Sequence, residues 1–289
     1  MTPVPDTVWG ELLHGLATAR RPKPRTSGLT CVLDKHLGLE GTAELIAAAG
    51  HLVDVVKLTS LTAAFYPEDL LRSKIAMLSN ADIKVCPGGT CSEVMIWQKV
   101  YPAYLNRARD LGFTGIEISD GTIIMPDELR REAIGRAADM GFIVYSEVGR
   151  KEWSEQTGLE DLVSDLKRDL AYGAEKVIVE AMEVGQSVGI MDADGRPSEE
   201  GLKALVDAAG GPGRIIFEAP LRNQQELFID RLGSEVNLGN IPPHEVLVVE
   251  ATRLGTTGIP FMTAYENNPE GPDNGTGTRA DKKGAGVWT

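Results

Sequence analysis

GFTGIEISDGTIIMPDELRREAIGRAADMGFIVYSEVGRK, residues 112–151, reads as one complete strand–helix–strand unit. Gly115–Ser119 and Phe142–Val148 are short apolar runs rich in β-branched residues, and Pro126–Met140 between them carries apolar residues at three- and four-residue spacing. Two strands joined through a helix pair in parallel, because the crossover returns the chain to the edge from which it left. Both strands also end in polar residues. Glu117, Ser119, Asp120 and Gly121 close the first, and Glu147, Gly149, Arg150 and Lys151 close the second.

The same unit recurs in both directions along the chain. Further strands are predicted at Leu29–Asp34, Val53–Leu58, Ile83–Pro87, Lys176–Ala181, Arg214–Ala219 and Glu235–Leu238. Helical spacing marks Leu39–Gly50, Pro67–Leu78, Tyr101–Leu111, Leu159–Tyr172, Ser198–Ala209 and Asn223–Leu232. Gly50, Gly112, Gly141 and Gly173 stand where a left-handed cap would end a helix before the next strand. Eight such runs alternating with helices predict a single-domain α/β protein of the (β/α)8 TIM-barrel type spanning 28–265. Residues 1–27 read as an N-terminal extension, and its run Arg20-Arg21-Pro22-Lys23-Pro24-Arg25 as a solvated segment. Residues 266–289, rich in Gly, Asn, Pro and Asp, read as a disordered polar tail.

Composition narrows the functional classes. The 289 residues carry a formal net charge of −13, which disfavours nucleic acid as a partner. No apolar run spans a bilayer and the N-terminus lacks the pattern of a signal peptide, so a soluble cytoplasmic enzyme is expected, without a membrane partner. The three cysteines, Cys31, Cys86 and Cys91, have no zinc or CxxC spacing. The first two read as buried thiols in strands, and Cys91 is at most a minor candidate for a catalytic thiol.

Chemistry is expected at the C-terminal strand ends, where barrels of this type place it. Five strands end in Asp or Glu, and acids crowded into one mouth repel one another unless lysines or a divalent cation neutralise them. Asp120, Glu147, Glu180 and Glu218 are therefore candidate ligands, and hard oxygen donors without a His/Cys set point to Mg²⁺. Gly88-Gly89-Thr90 is either an anion cradle or a plain tight turn. Arg222, Asn223, Gln224, Asn237 and Asn240 lie in the loops and strand ends where barrels commonly bind phosphate.

At these same strand ends the chain resembles the phosphosulfolactate synthase family. The likeness is carried by GLTCVLDK (28–35), Asp54 with Lys57, VCPGGT (85–90) followed by Glu93, GFTGIEISDG (112–121), SEVGRK (146–151), VIVEA (177–181), IIFEAP (215–220) with Gln224-Gln225, and VNLGNI (236–241). The resemblance implies conjugate addition of sulfite to phosphoenolpyruvate, with Mg²⁺ holding the enolate-like charge. It further implies Lys151 as the catalytic lysine, Lys35 and Lys57 as matching lysines, and Arg150 in place of a family lysine. The expected ligand is a small anionic enol or carboxylate, and a homo-oligomer is expected.

Departures from the family pattern are as specific as the matches. Residues 57–63 read KLTSLTA, without the family's aromatic and glycines, while Met182, Gln186, Leu254 and Thr257 stand where the family carries cationic side chains. Losing cations from an anion-binding mouth predicts a changed substrate within the same reaction type. The family's own substrate pair and a catalytically silent, stress-related role are the two alternatives.

Overall fold

The structure, a computed structural model, describes Trp9 and residues 21–149, 158–180 and 198–270. Eight parallel strands form the barrel: β1 (Thr30–Asp34), β2 (Val55–Leu58), β3 (Lys84–Pro87), β4 (Gly115–Ile118), β5 (Ile143–Val148), β6 (Lys176–Val179), β7 (Ile215–Glu218) and β8 (Asn237–Ile241). Sequence neighbours other than β3 and β4 pair with one another and β1 pairs with β8, giving the order β3-β2-β1-β8-β7-β6-β5-β4.

Between β3 and β4 a threonine closes the wall. Thr114 donates its backbone N–H to the Val85 carbonyl at 3.0 Å, and its Oγ1 accepts the Val85 N–H at 2.8 Å. A side-chain hydroxyl therefore completes the hydrogen-bonding pattern where no regular ladder is formed.

The outer helices are α1 (Leu39–Ala49), α2 (Glu68–Asn80), α3 (Gly89–Trp97), α4 (Tyr101–Leu111), α5 (Asp127–Asp139), α6 (Leu159–Tyr172), α7 (Glu199–Ala209), α8 (Arg222–Leu232), α9 (Val246–Arg253) and α10 (Gly258–Asn267). Seven of the ten follow from spacing. The shortfall is α3, α9 and α10: α3 buries residues on several of its faces (Gly89, Cys91, Ser92, Glu93 and Ile96), which erases the one-sided apolar stripe that marks a surface helix. No described helix is long and apolar enough to cross a membrane.

Alternation along the strands divides the interior into two cores. Outward residues such as Val32, Val56, Ile116, Val144, Val177 and Phe217 pack under the helices, while Leu29, Cys31, Val55, Cys86, Tyr145, Ile178 and Ile216 fill the barrel itself. Burial pushes the Cys31 thiol up to about 12, as expected of a filler rather than a nucleophile.

Four readings change here. Gly50 is right-handed (φ −57°), and glycine is needed because a Cβ would meet the Ile46 carbonyl oxygen at 2.6 Å. Gly112, Gly141 and Gly173 do adopt positive φ. Residues 23–25 are not a solvated segment: Lys23 donates to the Gly50 carbonyl at 3.1 Å, and Arg25 bonds Asp54 at 3.0 Å and the His51 carbonyl at 2.8 Å, stapling the N-terminal rim. The eighth strand runs to Ile241 because Gly239-Asn240, which looks like a turn in sequence, continues the strand with Asn240 at φ 56°. The expected C-terminal tail begins inside α10, and its residues 271–289 lie outside the described residues.

Thr114 gives the fold a direct test. Thr114→Val should strand the Val85 N–H and lower stability by roughly 1–3 kcal/mol, whereas Thr114→Ser keeps the acceptor. Thermal unfolding of both variants should show a lower Tm for valine and a near-native Tm for serine.

Candidate active site

The C-terminal strand ends surround a cavity of about 400 Å³. Parity decides what enters it. Lys57 shares the inward face of β2 with Val55, Glu117 that of β4 with Gly115, Glu147 that of β5 with Tyr145, and Glu218 that of β7 with Ile216. Glu180, just beyond β6, reaches the same space.

Lys57 stands among these acids with its side chain 12% exposed. Its Nζ lies 3.0 Å from Glu117 Oε2 and 3.4 Å from Glu218 Oε1. Burial lowers the lysine's proton affinity, but Glu117, Glu218 and Glu147 together outweigh it and hold the ammonium well above the usual lysine range. Lys57 is therefore a charge bridge that stays protonated at neutral pH, not the lysine of depressed pKa that proton delivery would need.

Among the described residues, Lys57 is the one cation that lines the mouth beside four carboxylates. Burial first, then repulsion from Glu218 and Glu117, pushes Glu147 well above the carboxylate range, and Lys57 only partly offsets this. Glu147 is thus where the mouth takes up a proton or welcomes a cation. The oxygens of Glu147 and Glu180, with the buried Oδ1 of Asn240 that has no partner among the described residues, have the hard-donor chemistry that Mg²⁺ prefers. Among the described residues no three His, Cys, Asp or Glu side chains are grouped as a ready ligand set, since Lys57 stands between Glu117 and Glu218.

Of the residues expected at the site, Lys57, Gly88, Gly89, Thr90, Glu147, Glu180, Glu218 and Asn240 line the mouth. Gly88 and Gly89 are close-approach glycines: a Cβ on Gly88 would meet the Ser60 nitrogen at 2.5 Å, and one on Gly89 would collide with Ser119 Oγ. That approach lets Gly89 N–H donate to Glu117 Oε1 at 2.8 Å, so this amide orients a carboxylate rather than an anionic ligand. Arg150, Lys151, Met182 and Gln186 lie outside the described residues.

Four expected residues stand elsewhere. Asp120 has the opposite parity to Glu117 and pairs with the buried Arg130 at 3.2 Å. Lys35 is exposed and does not line the mouth. Arg222 lies along the outside of α8, on Glu226 at 3.0 Å and Thr257 Oγ1 at 3.4 Å. Asn237 is fully buried at the start of β8, accepting the Leu29 N–H at 3.0 Å and donating to the Ile215 carbonyl at 2.7 Å. Asp120, Arg222 and Asn237 are side chains whose polarity serves the scaffold.

The same holds for the arginine that ends α9. Arg253 is fully buried and donates to the carbonyls of Ser234 and Val236 at 2.6 Å and of Leu29 at 3.0 Å, all beside the N-terminal strand ends. Leu254 is buried beside it and Thr257 meets the outer Arg222, so neither lines the mouth. Two of the four missing cations were therefore not lost from the described mouth.

The sequence marks Glu117 only as a strand-end acid and Glu93 only as part of the family likeness, with no site role for either. Glu117 had its signal in IEIS, where alternation sends it inward between Ile116 and Ile118. Glu93 is buried on α3 and gathers Ser119 Oγ at 2.5 Å, Gly121 N at 3.1 Å, Thr122 N at 2.9 Å and Ile123 N at 3.2 Å, pinning the loop after β4. Cys91 is a buried thiol pushed up to about 11 by burial, which disfavours the thiolate form near neutral pH.

A closed parallel barrel with a carboxylate-and-lysine mouth at its C-terminal rim defines a TIM-barrel enzyme. A family model described as (2R)-phospho-3-sulfolactate synthase (ComA) matches residues 18–258, and the chain belongs to that phosphosulfolactate synthase family, whose members are lyase/synthase enzymes. It is 38% identical over 245 residues to the phosphosulfolactate synthase of Methanothermobacter thermautotrophicus, covering 84% of this chain and 95% of that protein. It is 38% identical over 236 residues to that of Methanocaldococcus jannaschii, covering 81% and 94%. Among solved structures, an HpcH/HpaI aldolase from Desulfitobacterium hafniense shares the fold, with TM-score 0.53 at 15% identity over 80% of this chain and 93% of that one.

The crowding makes a pH prediction. A raised pKa means the native state keeps a proton that the unfolded state releases, so above the unfolded value of about 4.3 stability falls as pH rises. Replacing Glu147 by Gln removes this loss. Without divalent cation, Glu147→Gln should raise Tm at pH 7–8, and the gain should vanish near pH 4 when calorimetry is run across that range.

Proposed function

We propose that this chain adds a nucleophile to phosphoenolpyruvate or a closely related enol carboxylate, with Mg²⁺ as cofactor. The single observation that carries this reading is the ring of Glu117, Glu147, Glu180 and Glu218 around Lys57. So acidic a mouth is suited to an anionic substrate only when a cation is present. Glu147 and Glu180 would hold it, and a divalent ion there would neutralise the negative charge that develops as the nucleophile adds.

The protein's own groups have separate tasks in this scheme. Lys57 fixes Glu117 and Glu218 and adds a permanent positive charge. Glu93 holds the loop after β4 in register with the mouth, and Arg130 holds β5 there through the Glu147 carbonyl. Lys151 is assigned the proton delivery to the substrate carbon, because the family resemblance places its lysine there and Lys57 binds its own proton too tightly.

The relatives' printed name, phosphosulfolactate synthase, makes sulfite the first nucleophile to test. A nucleophile other than sulfite is favoured by Met182 and Gln186, which replace family cations in the segment after β6. The family's own pair is favoured by Leu254 and Thr257 lying off the mouth. Of the two, the changed nucleophile is the reading adopted here. Incubation with phosphoenolpyruvate, sulfite and Mg²⁺ should give little phosphosulfolactate, and turnover of about 1 s⁻¹ or faster would establish sulfite instead.

Lys151 is testable with whichever nucleophile supports turnover. Lys151→Ala should lower kcat by about 10²–10⁴-fold while metal affinity stays near wild type. Lys151→Arg should fail nearly as badly, since a guanidinium keeps its proton. An arginine variant with most of its kcat would leave Lys151 only an anion-binding role.

A further inference from the structure

Outside β3 a second cavity, of about 320 Å³, opens between α2, α3 and α4. Ala63, Leu71, Pro87, Met95, Ala108 and Phe113 form its apolar walls, and it shares no lining residue with the mouth. Protein interiors are close-packed, so an apolar hollow of this size is not an ordinary packing gap. Its volume and lining are those of a small-molecule site.

A hydroxyl supplies the polar point inside it. Tyr104 Oη is buried and has no partner in hydrogen-bonding geometry among the described residues. Cys91 and Ser92 lie beside it, but Ser92 Oγ already donates to the Glu117 carbonyl at 2.6 Å, and a thiol is a weak acceptor. Burial keeps the phenol protonated, so it stands as a donor. At the rim, Glu68 and Arg107 join Arg72 and Asp110 in a network of two acids and two bases, with Arg72 to Glu68 at 2.9 Å and Arg107 to Asp110 at 3.0 Å. The network is charge-balanced and favours a neutral guest.

We infer that this cavity binds a small neutral molecule with an apolar body and one hydrogen-bond acceptor, which accepts a hydrogen bond from the Tyr104 hydroxyl. The site is coupled to the mouth through α3. Cys91 and Met95 of that helix line the cavity, while Gly89 and Thr90 in its first turn line the mouth, and Pro87 and Gly88 divide between the two. A guest pressing on α3 therefore moves one wall of the mouth, whatever reaction is run there.

The test uses the full-length protein, isotopically labelled for NMR, titrated with acetophenone and with ethylbenzene as the same-sized probe lacking an acceptor. Both should bind saturably, and acetophenone should shift the amides of Gly88, Gly89 and Thr90. Tyr104→Phe should weaken acetophenone about tenfold, the effect of one buried hydrogen bond, and leave ethylbenzene unchanged. Ala108→Leu, which fills the cavity, should abolish both, and Ala64→Leu at the exposed rim serves if that variant does not fold. Absence of saturable binding to the wild type, or binding unaffected by the filling variants, overturns the site. Binding without movement of Gly88–Thr90 overturns the coupling. A wild-type oligomer that refuses both probes and dissociates on Ala64→Leu would make the hollow a seat for a second copy of the chain, which also overturns the proposal.

Discussion

The mouth is organised around one constraint: four glutamates carried inward at neighbouring strand ends must share a small, partly dehydrated space. At separations of a few ångströms their mutual repulsion is severe in a medium less polarisable than water. Lys57 relieves part of it by bridging Glu117 and Glu218, and Glu147 takes the remainder as a strong tendency to stay protonated. An arrangement that destabilises itself in this way is useful where a cation and a substrate are to be drawn in. The charge pattern, rather than the barrel, is what distinguishes this end of the molecule.

Buried ionic clusters behind the rim keep those side chains where the strands leave them. Arg130 grips Asp169 on α6, Asp120 on the loop after β4 and the Glu147 carbonyl on β5, with the last contact at 2.8 Å. Lys74 on α2 pairs with Asp34 and also donates to the Leu37 carbonyl, while Asp34 accepts the Leu37 N–H at 2.8 Å, so the loop after β1 is held at both ends. Glu93 does the same for the loop after β4. Pairs like these contribute little net stability because desolvation opposes their attraction, yet breaking one strands a buried charge. Their consequence is geometric: they fix which loop conformation the mouth presents.

At the opposite rim, residues that look functional in sequence have structural tasks. Arg253 binds three carbonyls at the β8–β1 junction, and Asn237 joins β8 to β1 and to β7. Arg25 and Asp54 clamp the chain leading into β1, and Asp54 also accepts the Thr30 N–H at 2.9 Å. Backbone groups at strand starts have no ladder partner, and buried ones must find a side chain instead. Family resemblance at such positions reports on barrel closure as much as on chemistry.

Local periodicity was enough to determine the strands, seven of the helices and the barrel, because an alternating or three-to-four spacing is a property of neighbours in the chain. It placed Lys57, Glu147, Glu180 and Glu218 at the mouth for the same reason, since a strand's parity sets the face of each side chain. It could not determine α3, whose several faces are buried by elements distant in sequence, nor show that Asp120 is taken by the buried Arg130. Nor could it foresee that Lys57 holds its proton more tightly than a free lysine, or that Asn237 and Arg253 serve the scaffold. Those properties depend on which carboxylates and carbonyls the closed barrel brings within about 3 Å of one another, and only tertiary structure sets distances between residues far apart in the chain.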